Sequence, residues 1–216
     1  MLCRMACLEP NWQQSRPTWD EVQEMCRRVQ LTPMRLAAAI FDQVLSRLRE
    51  SHSNGGAFLT AFHVSTNDVF DWFASRNRLL EHGILGSILS RSEIRQGLPE
   101  LMIPAEWENN ASAPACPAAD ASGFKMESPF HFDGHLAQTL YSGGAYGQQR
   151  GDGRAEKQMA LDFCESAFGL RFSEMLHYVN YEAWTDWFHG IAWDSTAVLF
   201  DRRQRNLWIL AITDTD

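Results

Sequence analysis

Residues Phe130 to Leu136 read FHFDGHL, and His131, Asp133 and His135 within them have the types and alternate spacing of metal ligands. On an extended backbone all three side chains project to one face. Imidazole and carboxylate together suit zinc, iron or manganese, and so a metal-dependent hydrolase. The same letters also describe a helix start. Asp133 is a strong N-cap residue, Gly134 opens a permissive first turn, and HLAQTLY follows with apolar periodicity. This second reading needs no outside partner and is the favoured one. It has Asp133 capping a helix, His135 turned away from His131, and Phe130 and Phe132 facing the core from an incoming strand.

A second candidate is EAWTDWFHGIAWD, Glu182 to Asp194. On a helix, Glu182, Asp186 and His189 share a face at i, i+4 and i+7, a set able to move protons or hold a cation. Trp184, Trp187, Phe188 and Trp193 lie beside it, and such density of large aromatics marks a core corner or an exposed patch for a partner. Asp194 suits an N-cap or turn. The chain closes with AITDTD, where Asp214 and Asp216 gather negative charge at the end of an apolar strand, near Asp194 if the final hairpin closes. Together Glu182, Trp184, Asp186, Trp187, Asp194, Asp214 and Asp216 are expected to form an acidic, tryptophan-rich surface for a basic protein.

Two further stretches carry weaker signals. SGGAYGQQRGDGRAEK is glycine-rich before a helix, as phosphate cradles are, yet it lacks both the Walker ending and GxGxxG, and reads as a surface loop. In EVQEMCRRVQLTPMRLAAAI, Val22, Met25, Leu31, Leu36 and Ala39 are apolar, Cys26 takes a small position, and Thr32-Pro33 opens a second helix. These twenty residues resemble a helix-turn-helix of the AraC kind, which implies a DNA-binding regulator built on Val22 to Phe41. Gln30 stands where that family has the glycine of its turn, and Arg35 is nearly alone among Met34, Ala37 and Ala38 as a reader of base edges.

Composition bounds these readings. The 216 residues carry a net charge of −8, with 45% hydrophobic and 21% charged side chains, as in a globular protein with a real core. Residues 1–50 hold seven basic and six acidic side chains, residues 51–127 five and nine, and residues 128–216 seven and twelve. This acidity repels phosphate at long range and argues against nucleic acid as a partner. Lys125 and Lys157 are the two lysines, so nearly all positive charge is arginine. Five scattered cysteines, Cys3, Cys7, Cys26, Cys116 and Cys164, show no CxxC pair and suit reduced thiols in the cytoplasm. No apolar run is long enough to cross a bilayer, and MLCRMACLEPNW has no signal-peptide core.

The elements that must position these groups follow from periodicity. Pro17 and early acids open a helix with Trp19, Val22, Cys26 and Val29 on one face. A second helix from Thr32-Pro33 carries Leu36, Ile40, Val44 and Leu48. AFLTAFHV reads as a strand or a buried helix start, Ser65 to Asp68 cap a further helix bearing Val69, Trp72, Phe73 and Leu80, and ILGSILSRSEIRQ gives one more. ENNASAPACPAADASG is small, polar and proline-broken, as linkers are. Beyond it, a helix stops at Gly143-Gly144, another runs from Arg154 to Phe168 with Gly169 as its stop, and STAVLF and NLWILAI flank DRRQR as a buried antiparallel hairpin.

The sequence therefore predicts an α+β protein with a helical part over 1–98, a linker or long surface loop over 99–127 and an α+β domain over 128–216. The absence of a nucleophile elbow, kinase set or strong metal motif favours a binding module over an enzyme. The expected function is that of an immunity or antitoxin-like protein in the cytoplasm, engaging a basic partner and needing no cofactor or membrane. A metal-dependent hydrolase built on His131, Asp133 and His135 and a DNA-binding regulator are the alternatives, and a homo-oligomer is compatible with all three.

Overall fold

A computed structural model of the chain describes residues 6–109, 123–146 and 152–216. The centre of the expected linker lies outside the described residues, as do Arg150 and Gly151 of the RGD in the glycine-rich stretch. The architecture is α+β, with one six-stranded sheet between two layers of helices.

The first helix, α1 (Trp19–Arg28), starts from Thr18, whose side chain and that of Glu21 bond each other's backbone amides in a capping box, so Pro17 precedes the helix. The second helix does not begin at Thr32-Pro33. Leu31–Pro33 form an edge strand, β1, paired with the long strand β2 (Gly56–Val64), and α2 (Ala39–Ser51) starts only afterwards. Proline has no N–H to give a ladder and is at home on a sheet edge. The expected helix-turn-helix is therefore absent: a strand follows α1 where a recognition helix would stand.

Next come α3 (Asp68–Ser75), capped by the Asn67 side chain, and two short helices, α4 (Ile84–Leu89) and α5 (Ser92–Gly97), where the sequence suggests one. The turn of helix α6 (Glu106–Asn109) and the short strand β3 (Lys125–Glu127) flank the centre of the expected linker. That stretch is core at its ends, because Leu101, Ile103 and Phe124 are buried. Helices α7 (Phe132–Ser142) and α8 (Gly153–Phe168) stop at Gly143 and Gly169 as the sequence predicts, and β4 (Met175–Asn180), β5 (Ser195–Asp201) and β6 (Asn206–Thr213) complete the sheet.

The strand order is β1-β2-β6-β5-β4-β3, with every neighbouring pair antiparallel. The expected hairpin is real, pairing Ser195 with Ile212 through Phe200 with Leu207. Because β2 pairs with β6 along its length, a single sheet joins residues before 98 to those after 128. Alternate residues point to opposite faces. Phe62, Tyr178, Phe200 and Ile209 meet Val22, Met25, Phe70 and Ile88 on one side. Ala61, Leu199, Trp208 and Ile212 meet Phe41, Leu136 and Phe163 on the other. Both faces are covered, which is why β6 is buried at every position. Among the described residues no helix is long and apolar enough to cross a membrane.

Candidate functional site

A cleft opens where α7 leaves the sheet. On β4, Met175, His177 and Val179 point toward α7, and the register sets Glu127 of β3 directly across from His177. Backbone pairing of a sheet edge thus puts an imidazole and a carboxylate side by side. Pro129–His131 then form a 3-10 turn that feeds α7, placing His131 and His135 one turn apart with ring centroids 6.1 Å from each other. The strand end at Asn180 leaves Tyr181 at the mouth. The result is a cavity of about 60 Å³, floored by Val179, Ala197, Leu210 and Ile212 and closed on the helix side by Phe132 and Leu136.

His177 is the most unusual group in this cleft. It is 1% exposed. Its Nδ1 lies 3.4 Å from the Ser128 carbonyl oxygen, Phe132 packs edge-on against its ring at 5.4 Å, and its Nε2 has no hydrogen-bond partner among the described residues. Burial pushes its pKa down to about 4, and the nearby His135 and His131 add to the fall against the opposing pull of Ser128 and Glu127. The ring is therefore neutral near pH 7. At the mouth, His135 Nδ1 stands 3.4 Å from Glu127 Oε2 and 3.5 Å from the Tyr181 hydroxyl. Burial raises the Tyr181 pKa, with Glu127 contributing in the same direction, so that hydroxyl keeps its proton. The arrangement can accept a hydrogen bond deep in an apolar slot and offer both donors and acceptors at the rim.

The sequence-predicted metal set is rearranged by this geometry. Asp133 does not cap α7: His131 occupies the N-cap position without a side-chain bond. The Asp133 carboxylate instead takes Lys157 Nζ at 2.6 Å and ties α7 to α8. Phe130 is exposed and stacked on Phe172 at 5.6 Å, because it lies in the 3-10 turn after β3 has ended, whereas Phe132 is buried as expected. The two histidines do not diverge, since a helix sets residues four apart on one face. Among the described residues no group of three or more His, Cys, Asp or Glu side chains is placed to hold a metal ion.

The expected acidic surface also separates. Residues 181–194 form an irregular loop, not a helix, so Glu182, Asp186 and His189 share no helical face. Trp184 is buried and donates from Nε1 to Thr196 Oγ1 at 2.8 Å, and Trp187 packs on Phe58 at 5.4 Å and Phe188 at 4.9 Å. The buried Asp194 accepts the Gly190 and Ile191 amides at 2.6 and 3.2 Å and the Thr213 hydroxyl at 2.5 Å. Asp214 is buried too, accepting the Asn54 and Ala145 amides. Those two carboxylates are spent inside the fold, whereas Glu182, Asp186 and Asp216 remain exposed.

Sequence reasoning missed His177, Glu127 and Tyr181. One signal was present: in the run MLHYVNY a histidine interrupts the alternation of Met175 and Val179 on the inward face of a strand. No protein-family model and no curated protein matches the chain.

Proposed function

We propose that this chain is a binding protein for a small organic molecule, held in the cleft between α7 and strands β4, β5 and β6. The observation that carries the reading is His177, a buried imidazole with an unsatisfied ring nitrogen lining an open, largely apolar slot. Native folds rarely leave a buried polar atom without a partner, and a ligand or ordered water is the usual answer. Concave, mostly apolar sites with a few convergent polar groups are where small molecules bind. The test is a screen of benzene-sized organic probes followed through the methyl NMR signals of Leu136, Val179, Leu210 and Ile212. Binders should move those signals first, and Ala197→Leu, which fills the floor, should abolish the shifts. Shifts spread over the surface, or none, would remove the proposal.

A second reading, docking to a basic protein as an immunity or antitoxin protein would, is supported by Glu182 and Asp186, which stand exposed on the same loop as the half-buried Trp187 in a chain of net charge −8. Such a complex should dissociate as ionic strength rises and weaken on Glu182→Lys or Asp186→Lys, measured by pull-down at low and high salt. Retention that ignores both salt and charge reversal would eliminate it.

A further inference from the structure

One main-chain oxygen decides which nitrogen of His177 carries the hydrogen. A neutral imidazole has a single N–H. The Ser128 carbonyl beside Nδ1 has no proton to give. Nδ1 therefore keeps the hydrogen, and Nε2 presents a lone pair that only a donor can satisfy. Burial that holds the pKa near 4 keeps the ring from supplying that proton itself.

The surroundings narrow the class further. The floor and the helix wall are aliphatic or aromatic, with the Ser195 and Thr196 hydroxyls beside them, so a charged body would lose most of its hydration with no opposite charge to replace it. An anion would in addition meet the Glu127 carboxylate across the strand pair. A cation finds no three-ligand set among the described residues. The enclosed volume of about 60 Å³ corresponds to roughly four to six water-sized spaces, which admits the leading end of a molecule and leaves the rest in the mouth beside His135, Thr139 and Tyr181.

Resting on the binding reading above, we infer that the ligand is an uncharged molecule with an apolar body that enters with one O–H or N–H leading, a phenolic hydroxyl being the simplest case, and that His177 Nε2 accepts this hydrogen. His135 and Tyr181 then face the trailing part of the molecule, where water still reaches.

The experiment uses the whole chain and three probes of similar size: phenol, its methyl ether anisole, and toluene. Affinities come from titrations of the Val179, Leu210 and Ile212 methyl signals. Phenol should bind about tenfold more tightly than anisole or toluene, the effect of one buried hydrogen bond. His177→Phe should remove the preference, so that phenol and toluene bind equally in that variant, while His177→Gln, which retains an acceptor oxygen, should keep part of the preference. Equal affinity of the three probes for the native chain would overturn the donor assignment and leave the binding reading standing. Failure of all three to move the methyl signals would overturn both, with the slot then a site for water alone.

Discussion

The carboxylate of Asp214 accepts the main-chain amide of Ala145 at 2.7 Å, and its other oxygen accepts the amide of Asn54 at 3.0 Å. One buried side chain near the end of β6 thus fastens the turn between α2 and β2 and the chain leaving α7. Asp214→Ala leaves two part-buried amides without their acceptor and should cost about 1–3 kcal/mol in urea unfolding. Gly144→Ala tests the same clasp from outside, since an added Cβ would fall 2.1 Å from Asp214 Oδ2. A loss under about 1 kcal/mol from both variants would show that the clasp does not hold the fold together.

Asp194 organises the loop between β4 and β5 through the Gly190 and Ile191 amides and Thr213. Asp194→Ala should destabilise by about 1–3 kcal/mol and speed hydrogen exchange of the 189–191 amides before the rest of the sheet opens. Thr213→Val removes one partner only and should cost less. Exchange that stays unchanged at 189–191 would contradict this role.

Protonation of His177 works against the fold. Its pKa in the folded chain, about 4, lies below the ordinary 6.5, so the unfolded chain binds the proton more readily. The stability conferred by the neutral ring is complete above pH 6.5 and is lost as pH falls toward 4. The full difference is about 3 kcal/mol. His52, also depressed by burial, acts in the same direction. Urea midpoints at pH 7.5 and 4.5 should show a drop that shrinks in His177→Phe. A ring signal titrating near pH 6.5 would refute the burial argument.

Asp133 and Lys157 form an ion pair between helices in which Lys157 is half exposed. Lys157→Ala should therefore cost no more than about 1 kcal/mol. With Asp133 so engaged, protein purified without chelator should carry less than about a tenth of a metal ion per chain by elemental analysis. A stoichiometric metal would return His131, Asp133 and His135 to the centre of the chemistry.

What the sequence determines by itself is local. Helix α8 is legible because Met159, Phe163 and Ala167 repeat at helical spacing and Gly169 takes the left-handed conformation that ends it, with φ +62°. The β5–β6 hairpin is legible because two apolar runs flank a charged turn. Where local rules permit two outcomes, tertiary packing chose. LTP became an edge strand because β2 offered a partner, and the loop around Trp184 gave up helical geometry because that indole is buried against Thr196 and Phe188. The pairing of Glu127 with His177, and of Asp214 with Asn54, joins residues far apart in the chain. No period or spacing records such pairs, because they follow from which faces of the sheet each helix layer covers. The cleft exists only once α7 has packed on the sheet.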